Sequence, residues 1–91
     1  HGKRFDAVDD AQPLVCVGED GELYDETVRG GASLWNVEFR GETTATMVYD
    51  KAPIFDHFKA VDDTTLMGIM NGKPAVVLVD GQHFYFGLER E

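Results

Sequence analysis

The sequence predicts an all-β domain, a small antiparallel meander that curls into a closed or partly open barrel. Three turn signals, Asp20-Gly21, Asn71-Gly72 and Asp80-Gly81, separate apolar runs, and such pairs are typical of tight β-hairpins. Strands recur at a spacing of about ten residues, which is typical of all-β barrels and sandwiches. The pattern gives eight strands, the number at which a closed barrel is just filled by side chains or holds one small ligand.

The predicted strands follow one another along most of the chain. They span 14–19, 22–28, 32–40, 42–49, 53–61, 64–71, 74–80 and 82–89. Further turns are expected at Arg40-Gly41, Asp50-Lys51 and Asp62-Asp63. The acidic stretch from Arg4 to Gln12 has no clear period and fits a short strand, a helical turn or an arm.

Several of these strands are apolar on both faces. The runs 66–70, 75–79 and 84–88 leave little polar surface for water, whereas a sheet with one wet face should alternate apolar and polar residues. We therefore expect the second apolar face of these strands to be covered as well, by a closed barrel interior, a partner chain, a missing segment or an apolar ligand. In strand 32–40, alternation predicts that Trp35, Val37 and Phe39 point inward together.

Length and composition indicate a single domain over residues 1–91, of ordinary globular composition, with 43% hydrophobic residues. The net charge of −9 argues against nucleic acid and anionic membranes as partners. No apolar run approaches the length of a membrane span. The single cysteine, Cys16, lies in an apolar run, where we expect it to be buried. It allows no disulfide within the chain, which favours a cytoplasmic location.

Strand 53–61 places Asp56 and His57 on opposite faces, so one of them must lie among apolar neighbours. A buried polar group without a partner is costly, and we therefore expect a dedicated partner among Arg40, Tyr49 and Tyr85. Two interpretations remain open. The polar residue forms a structural hydrogen bond that fixes the strand register, or it anchors a ligand at one end of an apolar pocket.

Nothing in the sequence assigns a catalytic residue, a metal site or a cofactor. Asp56 and His57 cannot orient one another as a dyad, and Ser33, the only serine, has no nucleophile-elbow context. A general acid or base role for His57 alone is the remaining enzymatic alternative. The three histidines lack the spacing of metal ligands. The residues thus favour a binding protein over an enzyme.

Several stretches resemble a known bacterial family. They are Phe39–Asp50 (FRGETTATMVYD), Pro53–Phe58 (PIFDHF), Val61–Lys73 (VDDTTLMGIMNGK) and Phe84–Arg90 (FYFGLER). Together they resemble the C-terminal domain of GXWXG proteins, itself a domain of unknown function. The GXWXG half expected upstream is absent from this sequence. The resemblance implies a lipocalin-like β-barrel that binds lipid or phospholipid, and it transfers no catalytic residues.

The function predicted from the sequence is non-catalytic binding of an apolar small molecule, a lipid or phospholipid, in a small β-barrel. The predicted ligand-binding residues are Trp35, Phe39, Arg40, Met47, Tyr49, Asp56, His57, Phe58, Met70 and Tyr85. The alternative is a structural or interaction module. Its apolar face would form a homodimer or dock the missing N-terminal GXWXG half.

Overall fold

A computed structural model describes residues 1–90, the side chain at position 79 excepted. Ten strands and one short helix follow in chain order: β1 (Gly2–Ala7), β2 (Asp10–Val17), β3 (Leu23–Asp25), β4 (Ala32–Phe39), β5 (Glu42–Tyr49), β6 (Ile54–Ala60), β7 (Thr65–Gly72), α1 (Pro74–Val77), β8 (Leu78–Val79), β9 (Gln82–His83) and β10 (Tyr85–Glu89).

Eight strands form one antiparallel sheet, curled into an open half-barrel, which confirms the all-β prediction with a partly open barrel. The strand order is β1-β2-β4-β5-β6-β7-β10, and β3 also pairs with β2. The connectivity is therefore not a simple meander. Strand β2 pairs with three neighbours, and β10 pairs with β7 although the β8–β9 hairpin lies between them in the chain.

The two faces of the sheet have different roles, and the cross-strand register defines them because directly opposed residues share a face. Met47 lies opposite Asp56, and Phe58 lies opposite Gly68. These residues belong to the inner face, which carries the hydrophobic core. The buried core residues are Ala11, Ala32, Met47, Tyr49, Ile54, Phe58 and Val77. The outer face carries the alternate residues, among them His57.

The side chains of β4 point in directions opposite to those predicted from the sequence. Leu34 lies opposite the core residue Met47, whereas Trp35 lies opposite Thr46 on the outer face. Trp35 is 61% exposed, so the prediction that it points inward with Val37 and Phe39 is wrong. The alternation was correct, but alternation alone does not say which of two apolar faces meets the core.

Two predicted hairpin turns have the geometry that their residues favour. Arg40 and Gly41 have φ angles of 54° and 81° and connect β4 to β5. Asp80 and Gly81 have φ angles of 51° and 76° and connect β8 to β9. Two consecutive positive φ angles are typical of the type I′ turn, which suits two-residue hairpins.

The predicted turn at Asp62 is stabilised by side-chain hydrogen bonds. The backbone N–H and the hydroxyl of Thr64 both donate to the carboxylate of Asp62, and these bonds lower the pKa of Asp62.

The region after β7 differs from the prediction. Asn71-Gly72 ends β7 and does not form a hairpin turn, since Gly72 lies opposite Ile54 in the ladder. The predicted strand 74–80 begins instead as the helical turn α1 and becomes extended only at Leu78. Pro74 at the start of α1 explains this, because proline cannot donate to a β-ladder but suits the first turn of a helix.

The acidic stretch from Arg4 to Gln12, for which the sequence allowed a strand, a helical turn or an arm, forms parts of two strands. Arg4 lies in β1 and Gln12 lies in β2, with a turn between these two strands. The side chains of β1 are mostly exposed and the pairing of β1 with β2 is irregular, so no clean alternation could appear in the sequence.

Two further predictions near the N-terminus need correction. The predicted strand 22–28 is shorter in the structure, where only β3 is extended, and Cys16 is half-buried rather than buried.

Gly68 lies in the middle of β7 directly beneath the ring of Phe86, its partner in β10. A Cβ atom at this position would overlap the aromatic ring. Gly68 does not mark a β-bulge, since the register runs without a shift on both sides of β7. The glycine therefore makes room for an aromatic ring on the inner face.

Candidate functional site

A pocket of about 200 Å³ lies on the outer face, across the strands β5, β6, β7 and β10. Its lining is mostly apolar but also includes the charged residues Arg40, Glu42 and Lys59. It consists of Phe39, Arg40, Glu42, Thr44, His57, Phe58, Lys59, Met67, Gly68, Ile69 and Tyr85. Met67 and Ile69 contribute because alternate residues of β7 share the outer face. We call this the outer pocket.

A stack of three side chains forms one wall of the outer pocket. The ring of Phe39 lies parallel to the imidazole of His57, with ring centres 4.2 Å apart. The guanidinium of Arg40 lies 4.9 Å from the centre of the Phe39 ring. Its Nη1 also donates a 3.1 Å hydrogen bond to the hydroxyl of Tyr85, which comes from β10. The contact with Tyr85 joins the β4–β5 turn to the far side of the pocket.

The imidazole of His57 has a fixed hydrogen-bond direction. The backbone N–H of Gly72 donates to Oδ1 of Asn71, so the Asn71 amide nitrogen must face His57 Nε2 at 3.2 Å. Nε2 therefore accepts, and Nδ1 carries the proton and donates to Thr46 Oγ1 at 2.9 Å. The Thr46 hydroxyl in turn donates to the carbonyl of Thr44.

This network holds His57 neutral. Burial lowers the pKa of His57, the nearby charge of Asp56 opposes that effect, and His83 adds to it. Both ring nitrogens already have partners that match the neutral tautomer. The side chain is only 3% exposed. His57 thus forms a rigid, uncharged floor of the outer pocket, and its geometry does not suit a proton-transfer role.

The charges around the outer pocket are unbalanced. Lys59 Nζ forms a 3.2 Å ion pair with Glu42, which neutralises both. Within residues 1–90, Arg40 has no carboxylate partner, and its neighbours are the hydroxyl of Tyr85 and the ring of Phe39. One uncompensated positive charge therefore lies at the pocket of a chain whose net charge is −9.

A second polar cluster lies on the inner face. Lys3 Nζ is 2.8 Å from Asp56 Oδ2, and the Tyr49 hydroxyl donates to the same oxygen at 2.9 Å. Asp56 is completely buried, and Lys3 also donates to the carbonyl of Pro13. Burial, together with the charge of Asp56, raises the pKa of Tyr49 well above its ordinary value. Of the three partners predicted for Asp56 or His57, Tyr49 binds Asp56, whereas Arg40 and Tyr85 contact one another instead.

The sequence-predicted site residues divide between the two faces. Phe39, Arg40, His57 and Tyr85 line the outer pocket from the outer face, and Phe58 borders it although its side chain belongs to the inner-face core. The second set contributes to the inner face: Met47, Tyr49, Asp56 and Met70, of which the first three are buried. Trp35 lies on the outer face and does not belong to the pocket lining.

Sequence reasoning missed several pocket residues. Glu42, Thr44, Lys59 and Ile69 line the outer pocket but were not proposed. The signal that could have found them is the β5–β6–β7 register, which places these residues around His57. Lys3 was missed because its contact with Asp56 joins distant parts of the chain.

The open side of the half-barrel forms a second, wetter concavity of about 880 Å³. Residues of β1 line one side of it, and residues of β7 and β10 line the other. Its walls carry charges of both signs, including Arg4, Asp62, Asp63 and Glu89. This groove is the seam at which the barrel remains open.

Two further features of residues 1–90 bear on the class of site. Among these residues, no group of three histidine, cysteine, aspartate or glutamate side chains is arranged to hold a metal ion. No helix in the same range has the length and apolar character required to cross a membrane.

Comparison with known proteins gives a family without a defined activity. Residues 30–90 match the family model described as Domain of unknown function (DUF4334). The chain is also similar to a solved structure, described as the crystal structure of a protein from Thermomonospora curvata, with 42% identity and a TM-score of 0.88. The similarity covers all of this chain and 58% of that one. No curated protein matches the chain.

These findings correct the resemblance drawn from the sequence. The matching family is DUF4334, not the C-terminal domain of GXWXG proteins, and nothing in the comparisons associates the chain with a GXWXG domain. The stretches that suggested it are short strands and turns such as Arg40-Gly41. Such motifs report local structure, and they do not identify a neighbouring domain.

Proposed function

We propose that this chain, which belongs to the DUF4334 family of domains of unknown function, binds an apolar small molecule in the outer pocket without transforming it. The observation that supports this most directly is the lining, in which Phe39, Met67, Ile69 and Tyr85 surround the neutral imidazole of His57. Ligand sites typically combine such apolar walls with a few fixed polar groups.

The size of the pocket limits the ligand. An apolar cavity of about 150 Å³ accommodates a benzene ring. A pocket of about 200 Å³ therefore suits one ring or a short alkyl chain. We propose that a lipid ligand would place only the end of a fatty-acyl chain here, with the rest outside. The inner face is occupied by core side chains such as Met47 and Ile54, which favours the outer pocket over the barrel interior.

A neutral probe tests this proposal. Octan-1-ol is titrated into the isotopically labelled chain while the amide and methyl signals are followed by NMR. We expect saturable shifts at Ile69, Met67 and Phe39, and their loss in an Ile69→Trp variant, whose larger side chain fills the pocket. Val17→Trp, at an exposed position in β2, is the matched control and should leave binding unchanged. Shifts that are absent, or that survive Ile69→Trp, would overturn the proposal.

A second candidate function, an interaction module, is supported by the exposure of large apolar side chains on the outer face. Trp35 in β4 is 61% exposed and Phe55 in β6 is 36% exposed, and both lie on the outer face, with β5 between their strands. Exposed apolar surface of this kind often marks a protein interface. We propose that such an interface would form a homodimer of this chain, in the cytoplasm that its single cysteine suggests.

Light scattering coupled to size-exclusion chromatography separates the two candidates. A dimer that dissociates in a Trp35→Ser, Phe55→Ser variant would support the interface. The matched control is Val61→Ser, which removes an exposed apolar side chain outside this region. A monomer at all concentrations, together with octan-1-ol binding, would leave the ligand pocket as the function.

A further inference from the structure

We propose that the outer pocket selects a carboxylate-bearing ligand and that Arg40 binds its carboxylate. This inference rests on the proposed function, because it specifies the ligand class of the same pocket. Its starting point is the position of the guanidinium, which lies at the pocket between the hydroxyl of Tyr85 and the ring of Phe39. An anion bound there would leave its apolar tail against Met67 and Ile69.

The charge balance of the pocket favours an anion. Lys59 and Glu42 neutralise one another, so Arg40 supplies the only uncompensated charge among the described lining residues. A guanidinium is weakly hydrated and presents a planar fork of donors that matches a carboxylate. The hydroxyl of Tyr85 and the ring of Phe39 hold that fork beside the pocket without using a negative charge.

The charge balance also favours a carboxylate over a phosphate monoester. A phosphate monoester carries a charge between about −1.5 and −2 at neutral pH. A single arginine would leave part of that charge uncompensated next to Glu42, in a chain of net charge −9. A carboxylate carries one negative charge, which matches the one positive charge of Arg40.

The turn that carries Arg40 supports the same conclusion. The first central position of a type I′ turn favours asparagine, aspartate or glycine, because its φ angle is positive. Asp80 obeys this preference in the β8–β9 turn, with a φ angle of 51°. Arg40 adopts a φ angle of 54° at the equivalent position, against its intrinsic preference. Residues that depart from local preferences often serve a function.

Matched probes test the inference. Octanoate, octyl phosphate and octan-1-ol share one alkyl chain, and their dissociation constants for the intact chain can be compared by NMR at fixed ionic strength. We expect octanoate to bind about tenfold more tightly than octan-1-ol, and more tightly than octyl phosphate. Arg40→Gln should reduce octanoate binding to the level of octan-1-ol and leave octan-1-ol unchanged. The control Arg29→Gln, at an exposed arginine outside the pocket lining, should change neither.

The outcomes distinguish this inference from the function on which it rests. Equal binding of octanoate and octan-1-ol at the pocket would overturn the carboxylate inference and leave the proposed function standing. Tighter binding of octyl phosphate would also overturn it, in favour of a phosphate ligand. Failure of both octanoate and octan-1-ol to bind would overturn the proposed function and the inference together. Tyr85→Phe, which keeps the ring, should weaken octanoate alone, since the hydroxyl positions Arg40.

Discussion

The ammonium nitrogen of Lys3 lies 2.8 Å from Oδ2 of Asp56, and this ion pair joins the first edge strand to the centre of the sheet. Four of the six residues of β1 are exposed, whereas the Lys3 side chain is only 8% exposed. Asp56 is completely buried on β6 and also accepts a hydrogen bond from Tyr49. The attachment of β1 to the inner face therefore depends strongly on one buried charge pair.

Replacing only one member of this pair should be strongly destabilising. In Lys3→Met, the carboxylate of Asp56 stays buried without a compensating charge. We expect the free energy of unfolding to fall by about 3 kcal/mol, the lower end of the range for broken buried ion pairs. Chemical unfolding in urea, followed by circular dichroism, measures this change.

Two further variants separate the charge effect from packing. Replacing all three polar groups with apolar ones, in Lys3→Met, Tyr49→Phe, Asp56→Leu, should recover most of the lost stability, since no buried charge remains. Lys51→Met, at an exposed lysine, should change the free energy of unfolding by less than about 0.5 kcal/mol. If Lys3→Met behaves like Lys51→Met, the ion pair contributes little.

A methyl group at Gly68 should disrupt the inner face. In Gly68→Ala, the new Cβ overlaps the ring of Phe86 and forces it to move. Overpacking of a core position typically costs 1–3 kcal/mol, and we expect about 2 kcal/mol here. The free energy of unfolding in urea provides the measurement.

The neighbouring strand offers a matched glycine for this test. A Cβ at Gly87 would meet only the carbonyl of Leu66, at 4.0 Å, so Gly87→Ala should be close to neutral. Adding Phe86→Leu to Gly68→Ala should reduce the penalty of the glycine substitution, because the smaller side chain leaves room. Equal effects of alanine at positions 68 and 87 would show that the ring contact is not the cause.

Much of the fold could be predicted from local signals, because tight turns and alternation act over a few residues. The Arg40-Gly41 turn and the opposite orientation of Asp56 and His57 are examples. What could not be predicted depends on distant pairing. Strand β10 returns to β7 across the β8–β9 hairpin, and no local pattern specifies that partner.

The candidate site was predictable in part for the same reason. Phe39, Arg40, His57 and Tyr85 were proposed and do meet at the outer pocket. Met47 was proposed with them but lies on the inner face, because alternation separates the two faces without saying which one is covered. The covered face is decided by the tertiary packing of the whole sheet.

The buried imidazole of His57 should make stability depend on pH. Burial lowers its pKa in the folded chain below the ordinary value of 6.5, which the unfolded chain retains. Between these two pKa values the unfolded chain binds more protons, so the free energy of unfolding rises with pH. We expect the contribution of His57 to the free energy of unfolding to fall as the pH falls below about 6.5. This loss should end once the pH is below the pKa that His57 has in the folded chain.

Comparison with a variant isolates this contribution from that of the carboxylates. The free energy of unfolding is measured between pH 7.5 and pH 5 for the unaltered chain and for His57→Gln, which cannot take up a proton. The difference between the two curves should shrink as the pH falls. Parallel curves, or an NMR titration of His57 with a midpoint at or above 6.5, would contradict the assignment of a lowered pKa.

The turn residue Arg40 should show opposite effects on stability and binding. Its φ angle of 54° suits asparagine better than arginine, so Arg40→Asn should raise the free energy of unfolding by about 0.5–1 kcal/mol. The same variant lacks the guanidinium that donates to Tyr85, and it should bind octanoate no more tightly than octan-1-ol. Asp80→Asn at the equivalent position of the β8–β9 turn is the control, and it should change neither quantity, because aspartate already suits that turn. If Arg40→Asn lowers stability instead, the contacts of Arg40 with Phe39 and Tyr85 contribute more to the fold than the turn costs, and the arginine is explained without a ligand.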